Sequence, residues 1–383
     1  MKKILLINTK YTEFGGENTN FEEEKNFFSN NYNVSFLEFQ NTNYPKFIDS
    51  IGLILNTNFN SNKLFKKRLN EFNPDIIYIH NLWFKGNLGI LKIANKHSSK
   101  KIIKVHNFRP ICSENFSLKK HLRNFEICPM CSFKKESSFS IFNKYYKNSY
   151  IKSFILILHS KKFLNLIKKF NITIFALSNF QKQILINGGI KENSIKIFSN
   201  PSSSNLKNLH NYKSRIFTYA GKIDKSKGVE ELVNTWVKLD LDNYYLYIIG
   251  TGPQLNYLKS KYNNKNIKYF GQLQNDEVID LIMKSRAVVT ATKLYEGQPK
   301  LLMEASSLGV PSIFPSYGGM GEFFPDEYSF KFIQNDYNSL KNTFKLSLND
   351  ETIKKQSQIV FNYYLNNFST ELQQEQFDKF IEL

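Results

Sequence analysis

The sequence is poor in cysteine, with only three among its 383 residues. Three thiols cannot form a disulfide framework, so this count predicts a reducing compartment and excludes a small disulfide-stabilised fold. Long apolar runs are missing as well. The longest, Phe154 to Leu158, has five residues, whereas a membrane-spanning helix needs about 20. We therefore expect a cytoplasmic chain without a membrane span, and we interpret Lys3–Ile7 as a first strand, not a signal peptide.

Arginine and acidic residues are also scarce. The 52 basic residues outnumber the 33 acidic ones and give a net charge of +19, yet only five of the basic residues are arginine. Proteins that recognise nucleic acids rely on the forked guanidinium group to bind phosphates and base edges. The excess of lysine therefore argues against a nucleic-acid partner. It fits an anionic membrane surface or a phosphate-bearing small molecule.

Short β-branched runs alternate with helix-period stretches over almost the whole chain. This order predicts parallel sheets with helices on both faces, and 383 residues are too many for one ordinary core. The polar, turn-rich stretch Asn200–Asn205 marks a boundary. We expect two Rossmann-like, doubly wound α/β domains that face a central cleft, at residues 1–200 and 201–349. Helices at 350–383 would cross back to the first domain.

Ligands of such sheets bind at the carboxyl ends of the strands, and residues 295–304, YEGQPKLLME, follow one of these ends. Gly297 permits a tight turn, and Pro299 suits the first turn of a helix. The amides of Lys300, Leu301 and Leu302 at the start of that helix would then be free to bind an anion. Glu296 and Glu304 would flank a ligand whose phosphates rest on the helix end. Alternatively, both glutamates are simply solvated.

Three further strand exits are rich in glycine. Gly-Lys at 221–222 ends a predicted strand, and Lys227 precedes the next helix, so two lysines are placed to bind a diphosphate. In a lysine-rich chain, such residues alone are more often solvent-exposed. The segments GTGP at 250–253 and GGMGE at 318–322 are the other two exits, where glycine would allow a nucleotide to approach the backbone.

Taken in this order, these elements resemble the retaining family 4 glycosyltransferases, which have the two-Rossmann B-type fold. The matching segments are GGE at 15–17, SNF at 178–180, GKIDKSKG at 221–228, GTGP at 250–253, the pair Glu296 and Glu304, and GGMGE at 318–322. One departure is Lys222, where the family usually has arginine. A point charge there lacks the bidentate fork that grips a diphosphate.

The resemblance implies a retaining transferase that uses a nucleotide-sugar donor, a UDP- or GDP-sugar, and needs no metal or other cofactor. It implies front-side attack, in which a donor phosphate oxygen accepts the proton of the acceptor. Glu296 would orient the sugar and Glu304 the ribose. The catalytic residues that it implies are His106, Lys222, Lys227 and Glu296. The implied donor-binding residues are Gly15, Gly16, Gly221, Gly250, Gly252, Gly297, Pro299, Lys300, Leu301 and Glu304.

Two histidines follow predicted strands of the first domain. The resemblance places His106 nearest the transferred sugar, whereas a histidine at a strand end can also be satisfied by a backbone carbonyl. His80 occupies a similar position after its own strand.

A cysteine set raises the question of a metal. Cys112, Cys128 and Cys131, with His121 between them, could bind zinc tetrahedrally. A second C-x2-C pair is missing, however, and buried free thiols explain the cysteines equally well, so we do not count them as site residues. The D-x-D at 240–242 lies before a strand, at the wrong end of the sheet for a metal–diphosphate site.

Residues 137–171 are basic and aromatic, with apolar residues recurring every three or four positions. They predict either a helical pair packed on the first sheet or an interfacial helix at an anionic membrane. The resulting hypothesis is a peripheral transferase at the inner face of the membrane that elongates a polyprenyl-linked glycan of a bacterial surface polysaccharide. The alternatives are an epimerase of the same fold and a non-catalytic basic module that binds membrane or RNA.

Overall fold

The computed structural model describes residues 1–10, 16–41, 52, 55–108, 150–201 and 210–382. The chain divides into two compact units. The first unit comprises Met1–Pro201 and Glu375–Leu383, and the second comprises Ser202–Gln374. Within the described residues, no helix combines the length and the apolar character needed to cross a membrane.

The first unit is built on a parallel six-stranded sheet of order β2-β1-β3-β4-β5-β6. Its strands are β1 (Lys3–Lys10), β2 (Asn33–Gln40), β3 (Ile76–Ile79), β4 (Lys100–Val105), β5 (Thr173–Ala176) and β6 (Ile195–Ile197). All four residues of β3 are buried, as are Ile4–Ile7 of β1. Such runs of consecutive apolar residues suit strands covered by helices on both faces.

The described helices of this unit are α1 (Gly16–Asn31), α2 (Phe59–Phe72), α3 (Gly89–Ala94), α4 (Tyr150–Phe170) and α5 (Asn179–Asn187). Two of them begin at side-chain caps. Asn58 Oδ1 accepts a hydrogen bond from Ser61 N at the start of α2, and Ser178 Oγ accepts one from Gln181 N at the start of α5. Such caps satisfy amides that have no partner inside the helix.

The second unit repeats the architecture with a parallel sheet of order β12-β11-β10-β7-β8-β9. Its strands are β7 (Ile216–Ala220), β8 (Tyr245–Ile249), β9 (Ile267–Gly271), β10 (Ala287–Val289), β11 (Ser312–Pro315) and β12 (Lys331–Phe332). Its helices are α6 (Val229–Val237), α7 (Leu255–Lys261), α8 (Asn275–Met283), α9 (Lys300–Ser307), α10 (Tyr337–Ser347) and α11 (Asp350–Phe368). The last helix, α12 (Thr370–Glu382), continues into the first unit.

Buried Arg286 ties the end of α10 to the sheet of the second unit. Its guanidinium donates 2.7 and 2.8 Å hydrogen bonds to the carbonyls of Ser347 and Leu348 and a 2.8 Å bond to Asp350 Oδ1. Because the arginine is only 1% exposed, these acceptors replace the water that its charge has lost.

The two doubly wound parallel sheets confirm the predicted fold class. The C-terminal bounds differ from the prediction, because residues 350–374 stay with the second unit. Ile353, Val360 and Tyr364 of α11 are buried in its core. From Glu375 onward the chain belongs to the first unit, where Phe377 is fully buried.

Candidate functional sites in the two units

In the second unit, the loops that follow β7 and β8 pack backbone against backbone. Gly250 has φ 128°, and a β-carbon there would lie 1.9 Å from the carbonyl oxygen of Gly221. A β-carbon at Gly252 would lie 2.2 Å from the carbonyl oxygen of Ile223. Any side chain at these positions would push the two loops apart. Loop packing by itself therefore accounts for the glycines at 250 and 252.

Lys227 and Glu296 meet at the carboxyl edge of this sheet. Lys227 Nζ lies 2.5 Å from Glu296 Oε1, and Thr292 Oγ1 donates a 3.1 Å hydrogen bond to the same oxygen. Asp224 holds the Lys227 segment in place by accepting hydrogen bonds from the amides of Ser226 and Lys227. The lysine and glutamate side chains are 28% and 21% exposed. The structure thus brings together two predicted site residues from distant segments.

The helix after Pro299 begins differently from our expectation. Pro299 immediately precedes α9, and its carbonyl accepts hydrogen bonds from Leu302 N at 3.1 Å and Met303 N at 3.2 Å. The amide of Leu302 therefore has a partner within the helix, and its predicted role as a free anion ligand is wrong. Lys300 Nζ lies 3.2 Å from Glu304 Oε1, one turn along α9.

Other predicted residues of the second unit lie nearby along the chain. Glu304 is 7% exposed, and Gly297 is buried in the loop before α9, whose first turn includes Leu301. Lys222 is exposed at the end of β7, and its carbonyl accepts a 2.8 Å hydrogen bond from Tyr219 Oη.

The turn at Gly318–Phe323 supports the loop that carries Glu296. The Gly319 amide donates a 3.3 Å hydrogen bond to the Glu296 carbonyl. Beside it, the rings of Tyr295 and Tyr317 stack with centroids 4.1 Å apart. The GGMGE segment therefore positions the glutamate through its backbone.

The first unit contains a buried cluster at the carboxyl ends of β3 and β4. His80 follows β3, His106 follows β4, Lys104 lies within β4, and Glu24 projects from α1. Glu24 Oε2 lies 2.7 Å from His80 Nε2, and His80 Nδ1 lies 2.7 Å from His106 Nε2. Lys104 Nζ donates to Glu24 Oε1 and, at 2.9 Å, to the carbonyl of Ser199. The predicted His106 therefore lies at the end of a series of close polar contacts.

Charge and burial act in opposite directions on this cluster. Burial by itself would raise the pKa of the Glu24 carboxyl, but the positive charge of Lys104 and the close contact with His80 hold this pKa far below its usual range. Burial, with a smaller contribution from His80, lowers the pKa of His106 well below its ordinary value. At neutral pH, Glu24 is therefore ionised and His106 is neutral.

The cluster borders a cavity of about 70 Å³ whose lining includes His80, Trp83, His106, Asn107 and His159. The rings of Trp83 and His159 meet edge to face with centroids 4.8 Å apart. Burial and the charge of Lys162 lower the pKa of His159 to about 3, so this ring is also neutral. The cavity thus combines an aromatic wall with two uncharged imidazoles, those of His106 and His159.

Glu24, His80 and His106 also have the composition of a metal site, and their ligand atoms lie within 4.8 Å of one another. Their arrangement fits such a site poorly. Ligands bound tetrahedrally at about 2.0–2.1 Å would lie about 3.3 Å apart, whereas the neighbouring atoms here are 2.7 Å apart. In addition, Lys104 occupies the second carboxylate oxygen. The side chains are instead in close polar contact with one another.

Several sequence-based predictions fall outside the described residues, namely Gly15 and the set Cys112, His121, Cys128 and Cys131. Gly16 is the first residue of α1. Sequence reasoning missed Glu24 and Lys104, although both carry a signal. Glu24 lies three residues after Phe21 and four before Phe28, on the apolar stripe of α1, and Lys104 interrupts the buried strand β4.

The comparisons with known proteins bear on the second unit most directly. Residues 204–364 match the model of the family described as Glycosyl transferases group 1. Over this range the chain is similar to that family. The matched range includes Lys222, Lys227, Glu296 and Glu304, which the sequence analysis expects to bind the donor.

Two curated proteins are similar to parts of the chain. An uncharacterized 41.2 kDa protein in the cps region of Klebsiella pneumoniae is 24% identical over 165 residues, which are 40% of this chain and 45% of that protein. The putative teichuronic acid biosynthesis glycosyltransferase TuaC of Bacillus subtilis is 30% identical over 110 residues, which are 29% of this chain and 27% of that protein. The chain spans less than half the length of each.

Similarity to solved structures extends over both units. HepE of Anabaena, crystallised in complex with UDP-glucose, has a TM-score of 0.68 with 12% identity, and the match covers 100% of both chains. At this identity the similarity shows the fold alone, which is the two-domain glycosyltransferase fold expected from the sequence.

Proposed function

We propose that the protein is a retaining glycosyltransferase that moves a sugar from a nucleotide-sugar donor to a glycan acceptor, without a metal. The observation that supports this best is the pairing of Lys227 with Glu296 at the carboxyl edge of the second sheet. Both residues lie in the range that matches the family model. There a positive group and a carboxylate lie side by side, as a diphosphate and a sugar hydroxyl would require.

In this proposal the second unit binds the donor, a UDP- or GDP-sugar. Lys222, Lys227 and the first amides of α9 stabilise the charge that develops on the leaving diphosphate. Lys227 then exchanges Glu296 for a phosphate, which leaves Glu296 to orient the hydroxyls of the sugar. Glu304, which is almost fully buried, binds the ribose. The UDP-glucose bound by HepE, which has a similar fold, supports a uridine nucleotide.

The acceptor is proposed to be a polyprenyl-linked glycan of a surface polysaccharide, bound through the first unit at an anionic membrane face. The cps-region protein and TuaC support the polysaccharide assignment. On α4, Phe154 and Leu158, one turn apart, are each 41% exposed, and Lys161 is exposed beside them. Apolar side chains interleaved with lysines suit adsorption to anionic lipid.

The donor assignment is tested by thermal shift with UDP- and GDP-sugars, followed by turnover. A ligand at 100 times its Kd stabilises a protein by roughly 2.7 kcal/mol. The preferred donor is then incubated alone, with a polyprenyl-diphosphate-linked monosaccharide, and with both that acceptor and EDTA. We expect a product with the donor's anomeric configuration only when the acceptor is present, with or without EDTA. Conversion of the donor alone would indicate an epimerase.

The membrane assignment is tested by flotation with anionic vesicles at low and high salt. Each lysine near the surface contributes about 1 kcal/mol, so binding should be released by salt. The double variant Phe154→Ser/Leu158→Ser should bind less. The matched control is Tyr257→Ser, which removes a similarly exposed side chain (46%) from the second unit. Absence of binding at low salt would refute this assignment.

A further inference from the structure

The side chains of Glu24, His80 and His106 lie one after another inside the first unit and are joined by close contacts between their nitrogen and oxygen atoms. Each link is 2.7 Å long, and the side chains of Glu24 and His80 are 0% and 2% exposed. Water therefore does not compete for these contacts. The positions of the hydrogens are therefore set by which of these side chains can donate and which can accept.

The ion pair with Lys104 fixes the first proton. Because Glu24 is a carboxylate that accepts from Lys104, it can only accept from His80 as well, so His80 Nε2 carries hydrogen. The cluster then holds one negative and one positive charge. Protonating either ring further would add an unpaired buried charge, which is costly. Neutral His80 therefore has a bare Nδ1.

The same logic fixes the second ring. The bare Nδ1 of His80 accepts from His106 Nε2, so the hydrogen of neutral His106 is on Nε2 and its Nδ1 is bare. This Nδ1 is buried, and no group within the described residues donates a hydrogen bond to it. A buried acceptor without a donor is unfavourable unless something else supplies the hydrogen.

We propose that Glu24 and His80 are positioning residues that hold His106 with a bare Nδ1, so that His106 accepts a hydrogen bond from a hydroxyl group of a sugar bound in the adjoining cavity. This inference rests on the proposed function for the identity of the ligand. The placement of the hydrogen on His106 does not depend on it.

The lining of the cavity fits a ligand of this class. His159 Nε2 is a second buried imidazole nitrogen that lacks a partner within the described part of the chain, and His159 lines the same cavity as His106. Two neutral imidazoles can each bind a hydroxyl, and Trp83, which lines the same cavity, offers its ring to the carbon skeleton of a sugar. Among the described residues that line the cavity, the ammonium group of Lys104 is already paired with Glu24 and is therefore not available to an anionic ligand.

The test is nitrogen-15 NMR of the full chain labelled at histidine, since the chemical shift of each ring nitrogen reports whether it carries hydrogen. His210 gives an internal reference, because its Nε2 must carry hydrogen to donate its 2.8 Å bond to the carbonyl of Arg286. We expect His106 to show the same form, with hydrogen on Nε2 and a bare Nδ1. Hydrogen on Nδ1 of His106 overturns the proposal.

The second measurement removes the carboxylate while keeping the cluster neutral. In the double variant Glu24→Gln/Lys104→Met, the amide can donate to His80 Nε2, which reverses each donor along the chain. We expect hydrogen to appear on His106 Nδ1 and turnover to fall about tenfold, the loss of one hydrogen bond. An unchanged form of His106, or unchanged turnover, overturns the proposal. If this variant does not fold, His80→Phe takes its place, because it removes the acceptor for His106 and keeps a ring beside Phe21.

The ligand is tested with UDP-glucose together with methyl glucoside. We expect the His106 Nδ1 signal to shift as it accepts a hydroxyl hydrogen, and an unshifted signal at saturation overturns the ligand assignment. Calorimetry with UDP on the same samples keeps the two proposals separate. If the wild type does not bind UDP, the proposed function is contradicted. The position of the hydrogen on His106 tests only the present inference.

Discussion

Each unit holds a lysine–glutamate pair at the carboxyl edge of its sheet, and the two pairs differ in burial. The side chains of Lys104 and Glu24 are both 0% exposed, whereas those of Lys227 and Glu296 are 28% and 21% exposed. The buried pair cannot exchange its partner for water or for a ligand without a large desolvation cost. The open pair can. The same two residue types therefore fix the electrostatics of one unit and remain available for binding in the other.

The largest expected effect of this difference is on stability. Glu24→Gln leaves the Lys104 charge buried without a counterion and should lower the free energy of unfolding by about 3–5 kcal/mol. The matched variant Glu296→Gln, in the open pair, should cost less than about 1 kcal/mol. Urea unfolding measures both. Adding Lys104→Met to Glu24→Gln should restore much of the loss, and equal losses in the two single variants would remove the distinction.

A smaller effect is expected from pH. Because the folded-state pKa of His159 is about 3, against 6.5 in the unfolded chain, the unfolded state binds more protons between these values. Stability should therefore fall as the pH drops below 6.5, by about 3 kcal/mol at pH 4. Unfolding curves of wild type and His159→Gln at both pH values isolate this contribution. Parallel losses in the two proteins would refute it.

The open pair should affect turnover more than binding. Glu296→Gln should lower turnover roughly 10²-fold, equivalent to about 2.7 kcal/mol, because a misplaced anomeric carbon loses its reactive geometry. UDP affinity should not fall below the wild-type value, because UDP lacks the sugar that Glu296 orients. Initial rates measure the turnover, and calorimetry measures the UDP affinity. A wild-type rate would mean that this edge of the sheet is not the donor site.

The smallest expected effect concerns Glu304. If it binds the ribose, Glu304→Gln should weaken both the donor and UDP by about 1.5–3 kcal/mol, the value of a charge-assisted hydrogen bond. Met303→Leu is the matched control, because it alters the neighbouring position of α9 without changing charge. Calorimetry with UDP measures both variants. Equal affinities in Glu304→Gln and the control would exclude contact with the ribose.

The fold was predictable because its signal is distributed over many residues. Consecutive apolar residues mark strands such as Ile76–Ile79, and their alternation with helices leaves few arrangements other than a doubly wound sheet. The course of the C-terminal helices was not predictable, because α11 and α12 have similar amphipathic patterns. Only packing reveals that Tyr364 lies in one core and Phe377 in the other.

The site was predictable only in part. Lys227 and Glu296 lie in recognisable motifs, but their contact joins residues far apart in sequence, and only the fold brings them within 2.5 Å. Glu24 was missed because a lone glutamate on a helix is usually solvated. Its partner Lys104 lies 80 positions away, and no local pattern links the two. Sequence motifs therefore indicate candidate ligand-binding residues more readily than they indicate contacts between residues far apart in the chain.

The discontinuous first unit has a consequence for how the chain is made. Phe377 lies at the centre of its aromatic core, 4.7 Å from Phe28 and 6.2 Å from Tyr78 between ring centroids. Lys2 Nζ bonds the carbonyl of Ile381 at 3.0 Å, and Tyr32 Oη bonds Asp378 at 2.5 Å. During synthesis, residues 1–201 leave the ribosome with this core incomplete, and the intervening 173 residues of the second unit can fold first. Of the two units, the first thus begins to be synthesised earlier, but its core is completed later.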